Sequence, residues 1–563
     1  MSALTLRLGE HAQAVTDRVA MLRGEGFHTR LAHRDDSLWG DDPARRAVIA
    51  NRLGWVDSPA AMLERAGEFR DFAAEVADAG FEHVLLLGMG GSSLAPEVLS
   101  RVLGRGPGGL PLTMLDDTSP AAVRAAAAAC DPRRTLVLVA SKSGGTIEVT
   151  SFEKAFRARA VAALGEAAGR AFVAITDPGT SLEMHAGAHH YRRVFTNPAD
   201  IGGRYSALSC FGLVPAALLG ADPAELCREA MAERADLLDH GTALTLGAAL
   251  GVLAHAGRDK LTLVLGAGLE PLGVWIEQLV AESTGKEGRG ILPVDGEALA
   301  SPEAYGHDRV FVSVTIGAPD AATSAALDAL AAAGHPVIQW SRSHALGIGA
   351  EFLRWEIATA VASAVLGVNP FDEPNVSEAK AATKRVLQQA TAQGGLTART
   401  PRARDGALEW HAAASVVTPE GDAVAWARAF LSWFRPGDYG AVLAYLHRTD
   451  ARHASLERVR HAVRAGVRAA ATLGYGPRYL HSTGQLHKGG PGTGVFLEVT
   501  AEEGDEPIPG EAFGFRTLRD AQAAGDHEVL DAHALRAVRI HVSGDVEAGL
   551  ARLAEAFEAA ARG

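Results

Sequence analysis

Two glycine- and serine-rich hexads carry the first chemistry in this 563-residue chain: Gly88-Met89-Gly90-Gly91-Ser92-Ser93 and Ser141-Lys142-Ser143-Gly144-Gly145-Thr146. Glycines let the backbone turn its N–H groups outward, and the hydroxyls beside them add donors. Each loop therefore suits a phosphate held at a helix N-terminus. Neither has the GxxxxGK[ST] spacing of a nucleotide loop, and Gly88-x-Gly90, like Gly266-Ala267-Gly268, lacks the third glycine of a dinucleotide fingerprint. A tight strand-to-helix turn without ligand explains one such loop equally well; two in one α/β stretch favour a site. A third loop, Ile201-Gly202-Gly203-Arg204-Tyr205-Ser206, sets a guanidinium between glycines and a helical start. There it can face a developing oxyanion, or it is an ordinary surface arginine.

Gln278 and Glu282 lie four apart in a helical pattern and so share a face, with Ser283-Thr284-Gly285 ending the helix. The bland alternative is a surface ion pair between Glu282 and Lys286. Asn369-Pro370-Phe371-Asp372-Glu373-Pro374-Asn375-Val376 opens a helix that carries Lys380. His481-Ser482-Thr483-Gly484-Gln485-Leu486-His487-Lys488-Gly489-Gly490-Pro491 is a polar loop ahead of a strand. Taken alone, these two read as a capped helix start and a solvated loop. His185, His189 and His190 lack an adjacent catalytic Glu and sit in a loop-like context, so no metal is expected there.

The elements that must position these residues alternate between strand and helix. Apolar runs at 83–87, 136–140 and 172–175 end in Gly, Ser or Asp-rich turns with helices between, and 261–265, 310–315 and 337–340 repeat the pattern. Continuous rather than alternating apolar runs mean strands buried on both faces, hence α/β domains with doubly wound parallel sheets. Residues 1–60 read as an N-terminal helical segment, 61–235 as a first α/β domain and 236–390 as the first part of a second. Residues 391–563 form a mixed extension expected to complete that second domain, entered through an exposed linker at 393–404. In the extension, helices are expected at 423–434 and 456–471 and strands at 495–499 and 538–542. A net charge of −13 argues against nucleic acid as a partner, and 47% apolar with 21% charged residues is globular composition. Three cysteines without a CxxC pair exclude a disulfide framework and a zinc-thiolate site. The longest apolar stretch, 357–368, falls short of a membrane span, and Arg7 and Glu10 interrupt any N-terminal leader, so no membrane is expected as a partner.

Taken together, the six segments make the chain resemble the glucose-6-phosphate isomerases, built from two sugar-isomerase (SIS) domains, and in particular the isomerase half of fused transaldolase–isomerase proteins. No transaldolase portion precedes Met1, so isomerase chemistry alone is implied. The resemblance implies that Ser92 lies near the sugar and that Ser141, Lys142, Ser143 and Thr146 cradle the phosphate. It implies that Gly203 and Arg204 steady the intermediate, Gln278 binds substrate, Glu282 is the base, and Lys380 and His487 open the ring, with His481 the competitor for the histidine's role. That histidine follows the lysine here, whereas the family pattern has it before, and Glu373 stands where the pattern has glutamine. The implied function is interconversion of glucose 6-phosphate and fructose 6-phosphate through an enediolate, as a step of glycolysis and gluconeogenesis. The resemblance also implies a cytoplasmic homodimer with no cofactor and no metal. A dual phosphoglucose/phosphomannose isomerase shares the same parts, and a non-catalytic phosphosugar-binding regulator would need neither Glu282 nor Arg204.

Overall fold

The computed structural model describes residues 4–396 and 400–562; the middle of the expected linker, 397–399, lies outside the described residues. The chain divides into two compact units. Met1–Asp116, Ala126–Leu299 and Val310–Asp372 form the first, and Asp117–Ala125, Ala300–Arg309 and Glu373–Gly563 the second.

The first unit holds two sheets that share one hydrophobic core. One is wholly parallel, with strands ordered Leu112–Leu115, His83–Leu87, Thr135–Ala140, Phe172–Thr176 and Arg193–Thr196. Thr135–Ala140 and Phe172–Thr176 are buried at every position, which is why they read as unbroken apolar runs. The other runs Thr5–Arg7, Val337–Arg342, Arg309–Ile316, Lys260–Leu265 and Leu292–Val294. Its first strand, in the segment expected to be helical, pairs antiparallel with Val337–Arg342. The apolar stretch at 357–368 falls largely in helix Ile348–Leu366, buried along most of its length. Among the described residues no single helix is long and apolar enough to cross a membrane.

The second unit departs from expectation. Among the described residues, those after 391 add no strand to the second sheet. They build a six-stranded sheet with its own core, ordered Ala403–Asp405, Leu408–Ala412, Arg536–Val542, Gly494–Ala501, Tyr439–Tyr445 and Ala470–Tyr475. Helix Pro374–Gln393 belongs with this unit as well, which moves the boundary from 390 to 372. Counted along the chain, the parallel strands of the first sheet lie in the order 2-1-3-4-5. The corresponding strands of the second and third sheets lie in the order 2-1-3-4. In such an order the chain winds first to one side of strand 1 and then to the other, leaving a crevice between strands 1 and 3 beyond their carboxyl ends.

Candidate active site

In the first sheet, strands 1 and 3 are His83–Leu87 and Thr135–Ala140, paired in parallel. The two glycine- and serine-rich loops follow these two strands, so they flank the crevice between them. Gly90–Ser92 forms a single 3-10 turn ahead of helix Leu94–Leu103. A Cβ on Gly91 would sit 1.9 Å from the carbonyl oxygen of Gly203. Glycine is required there because this loop and the arginine loop touch backbone to backbone.

The second loop leads into helix Ile147–Leu164 with Thr146 at the N-cap in extended conformation. Ser141 Oγ lies 3.1 Å from Thr146 Oγ1, and Ser143 and Gly145 are exposed. Gly144 has φ +70° and packs against Thr180 and Leu182, while its carbonyl accepts from Ser181 Oγ at 2.9 Å. Hydroxyls and first-turn N–H groups thus converge at a helix start, the arrangement that binds an anion. Lys142 behaves otherwise than expected. Its ammonium bonds Asp177 and the carbonyl of Ala199, which takes its charge away from the cradle. Burial raises the Asp177 carboxyl while the bond from Lys142 lowers it, and the net direction is upward.

Arg204 leaves the surface altogether, with 4% of its area exposed. Its Nε donates to Ser283 Oγ at 2.9 Å, and its Nη2 to the carbonyl oxygens of Pro370 (2.6 Å) and Asp372 (2.9 Å). Nη1 lies 3.1 Å from Glu282 Oε1. Glu282 and Gln278 both stand on the buried helix Leu272–Thr284, and Gln278 Nε2 donates to Glu282 Oε2 at 3.2 Å. The carboxylate is therefore held from two sides, by a guanidinium and an amide N–H. Neither Glu282 nor Lys286 lies on the surface. Lys286 is buried and reaches Asp372 Oδ1 at 2.8 Å and the Asn369 carbonyl at 2.5 Å. Sequence reasoning singled out Arg204, Gln278 and Glu282 but missed Ser283 and Tyr205, whose hydroxyls lie 3.2 Å apart behind the pair. Their signal was adjacency, since each follows a singled-out residue.

In the second unit, the expected ring-opening residues sit on two segments that are stapled together. Gln485 Oε1 accepts from the Asn375 N–H at 2.9 Å, and Gln485 Nε2 donates to Asn375 Oδ1 at 2.8 Å. Lys380 is exposed on helix Pro374–Gln393, and Glu373 is half-buried. His487 is an interior residue, 3% exposed. Its Nδ1 lies 2.8 Å from the Tyr439 hydroxyl and its ring packs against both Tyr439 and Phe496. Burial pushes its imidazole down to about 3, with the Lys488 charge adding to the effect. His481 is partly exposed on the same loop. Away from these residues, His185 lies in helix Ser181–Ala188 rather than a loop, and its Nε2 sits 3.0 Å from Glu153.

Residues 63–243 match the phosphoglucose isomerase family model. Curated glucose-6-phosphate isomerases of Rubrobacter xylanophilus and Thermus thermophilus are each 29% identical. They cover 61% and 64% of this chain and 91% and 97% of their own lengths. The chain is a relative of the glucose-6-phosphate isomerases. A solved structure of a hypothetical protein, also from Thermus thermophilus, is 27% identical with a TM-score of 0.58, over 69% of this chain and all of that one.

Proposed function

We propose that this chain interconverts glucose 6-phosphate and fructose 6-phosphate by moving one proton between C1 and C2. The observation that carries the reading is the buried Arg204–Glu282 pair, with Gln278 on its far side, behind a loop that touches the crevice-lining turn at Gly91. Glu282 is the base. Arg204 offsets the charge that develops on the enediolate oxygens. Ser141, Ser143 and Thr146, with the first-turn amides behind them, anchor the phosphate, Ser92 and Gly203 border the sugar, and Gln278 orients base and substrate. Lys142 contributes through Asp177 rather than as a free ammonium. Ring opening is assigned to the second unit, to Lys380 and to a histidine of the 481–491 loop. The burial of His487 supports His481 for that role, because an acid–base group needs access to the proton it moves. By the same resemblance the protein works as a cytoplasmic homodimer.

The test is turnover of purified protein on glucose 6-phosphate, fructose 6-phosphate and mannose 6-phosphate, with Glu282→Gln as the control. A positioned base contributes about 10²–10⁴-fold. The variant should lose turnover and C2–deuterium exchange by that factor while still binding an enediolate mimic. Parent protein inactive on all three sugars, or a variant within about tenfold of the parent, sinks the reading. Turnover of mannose 6-phosphate at a comparable rate would widen it to a dual isomerase.

A further inference from the structure

The sheet of the second unit changes character from one face to the other. Along Leu408–Ala412 and Arg536–Val542, the side chains of Leu408, Trp410, Val538, Ile540 and Val542 enter the unit's apolar core. The residues between them, Glu409, His411, Arg539 and His541, point to the opposite side. Register sets these in cross-strand rows, Thr500 beside His541 beside Glu409, and Glu498 beside Arg539 beside His411. A polar face of this kind usually meets water. Here helices Pro374–Gln393 and Phe515–Ala532 pack together, and the second lies over strands Gly494–Ala501 and Arg536–Val542. Between the helices and the sheet is a cavity of about 380 Å³, within the range of small-molecule sites. Every described residue that lines it belongs to the second unit.

The two walls of the cavity differ. Val386, Ala390, Ala523 and Ala524 give the helix side an apolar surface, while the sheet side presents Thr500, His541, Glu409, Arg539 and His411. The carboxylates on the walls are bonded from outside the cavity. Arg404 reaches Glu409 at 2.8 Å, Arg385 reaches Glu528 at 2.8 Å, and Arg519 donates twice to Asp520 at 2.6 and 2.9 Å. Glu498, opposite Arg539 in register, pairs with His527. Arg539 and Arg516 add their charges to the lining, Arg516 from an exposed position with its Nη1 on the Glu503 carbonyl at 3.1 Å. Arginines thus outnumber the lining carboxylates around this cavity, in a protein whose net charge is −13. The Thr500 hydroxyl donates to the Ile540 carbonyl at 3.3 Å and so accepts from His541 Nδ1 at 3.0 Å. That tautomer leaves Nε2 of His541 with a lone pair, an acceptor for an O–H group. Burial lowers this imidazole, against the pull of Asp520 and Glu409 and with help from Arg539, so the ring is neutral at pH 7.

We propose that the second unit has a binding site of its own, for a small hydroxylated anion seated between the polar face of its sheet and these two helices. Arg539 and Arg516 face the charged group of the ligand. Its hydroxyls bond His541 Nε2 and the carboxylate oxygens, and its C–H surface lies on the alanines of the helix wall. The site needs neither the crevice of the first unit nor the isomerase reading.

Calorimetry on the full-length protein tests this, with gluconate and glycerol 3-phosphate as probes and glycerol as the uncharged control. The anions should bind with a Kd of about 1 mM or below, and glycerol should not. A phosphate ester can also enter the Ser141–Thr146 cradle, so the titrations are repeated in Thr146→Val, where binding to the second unit should persist. Ala524→Phe fills the cavity without changing a charge and should abolish that binding. Arg516→Ala, at an exposed position, should weaken it about tenfold through loss of one charge-assisted hydrogen bond, a readout that stands even where Ala524→Phe fails to fold. No binding of either anion to the parent, equal binding of glycerol, or affinities unmoved by Arg516→Ala would each overturn the proposal. Binding of both anions that disappears in Thr146→Val would place them in the first unit and overturn it as well.

Discussion

Two histidines six positions apart on one loop differ in everything that governs proton transfer. His487 lies against Tyr439 and Phe496 with its Nδ1 bonded, while His481 is partly exposed. A folded-state imidazole held down at about 3 stays neutral where the unfolded chain, near 6.5, takes up a proton. Below pH 6.5 the unfolded state therefore binds more protons, and His487 lowers stability progressively as pH falls from 6.5 toward 3. His487→Phe should flatten that acid limb in melting curves recorded between pH 4 and 7; an unchanged slope would put the imidazole in water. His481→Ala should slow turnover of cyclic sugar far more than of an open-chain substrate. If His487→Ala alone shows that selective defect, the assignment of the ring opener reverts to His487. Removing Arg204 is a different experiment, because Glu282 would stay buried without its cation. Arg204→Ala should destabilise by about 3–5 kcal/mol in denaturant unfolding, the cost of a broken buried pair. That loss would appear with or without substrate.

Loops and helices set what these residues can reach. Gly91→Ala places a methyl group against the Gly203 carbonyl, so the two loops can no longer keep their present contact. Turnover should drop at least tenfold with the first sheet still folded by circular dichroism, whereas parent-like turnover would mean that the two loops move independently. In the cradle, Thr146→Val should weaken sugar-phosphate binding by about 1–3 kcal/mol, the cost of an unmade buried hydrogen bond. Equal affinity in calorimetry would take the phosphate away from this loop. The same elements show what the sequence made legible. His83–Leu87 and Thr135–Ala140 were readable because both their faces are covered, and the crevice loops after them because glycine and serine cluster there. Tyr439–Tyr445 was not, because its alanines and glycine favour no strand, and the helix expected over 456–471 overran into Ala470–Tyr475. That helix stops at Arg468, in the left-handed region at φ +53°, a residue type that announces no stop. Leu292–Val294 was hidden by Pro293, which an edge strand tolerates. Arg204 and Glu282 were legible as residue types, but their pairing and the diversion of Lys142 to Asp177 are products of tertiary burial.

The molecule as a whole carries a charge of −13, and its anchor loop has spent its lysine on an aspartate. A sugar phosphate therefore approaches against the general field, with no free ammonium from Lys142 to steer it. Since the Debye length shrinks from about 30 Å at 0.01 M to about 10 Å at 0.1 M salt, kcat/KM for glucose 6-phosphate should rise over that range. A steep fall would reveal a local cationic funnel.

The antiparallel strand Thr5–Arg7 also sets a clock. Its Arg7 bonds Gln339 at 2.8 Å across 332 positions of sequence. Ribosomes add about 5–20 residues per second, so roughly 17–66 s separate the emergence of these two partners. For that interval the first strand has nothing to pair with, and afterwards Val337–Arg342 has a bare edge until the strand returns. Early synthesis can shape the first parallel sheet from neighbouring segments, but the second sheet must wait for its oldest residues to come back.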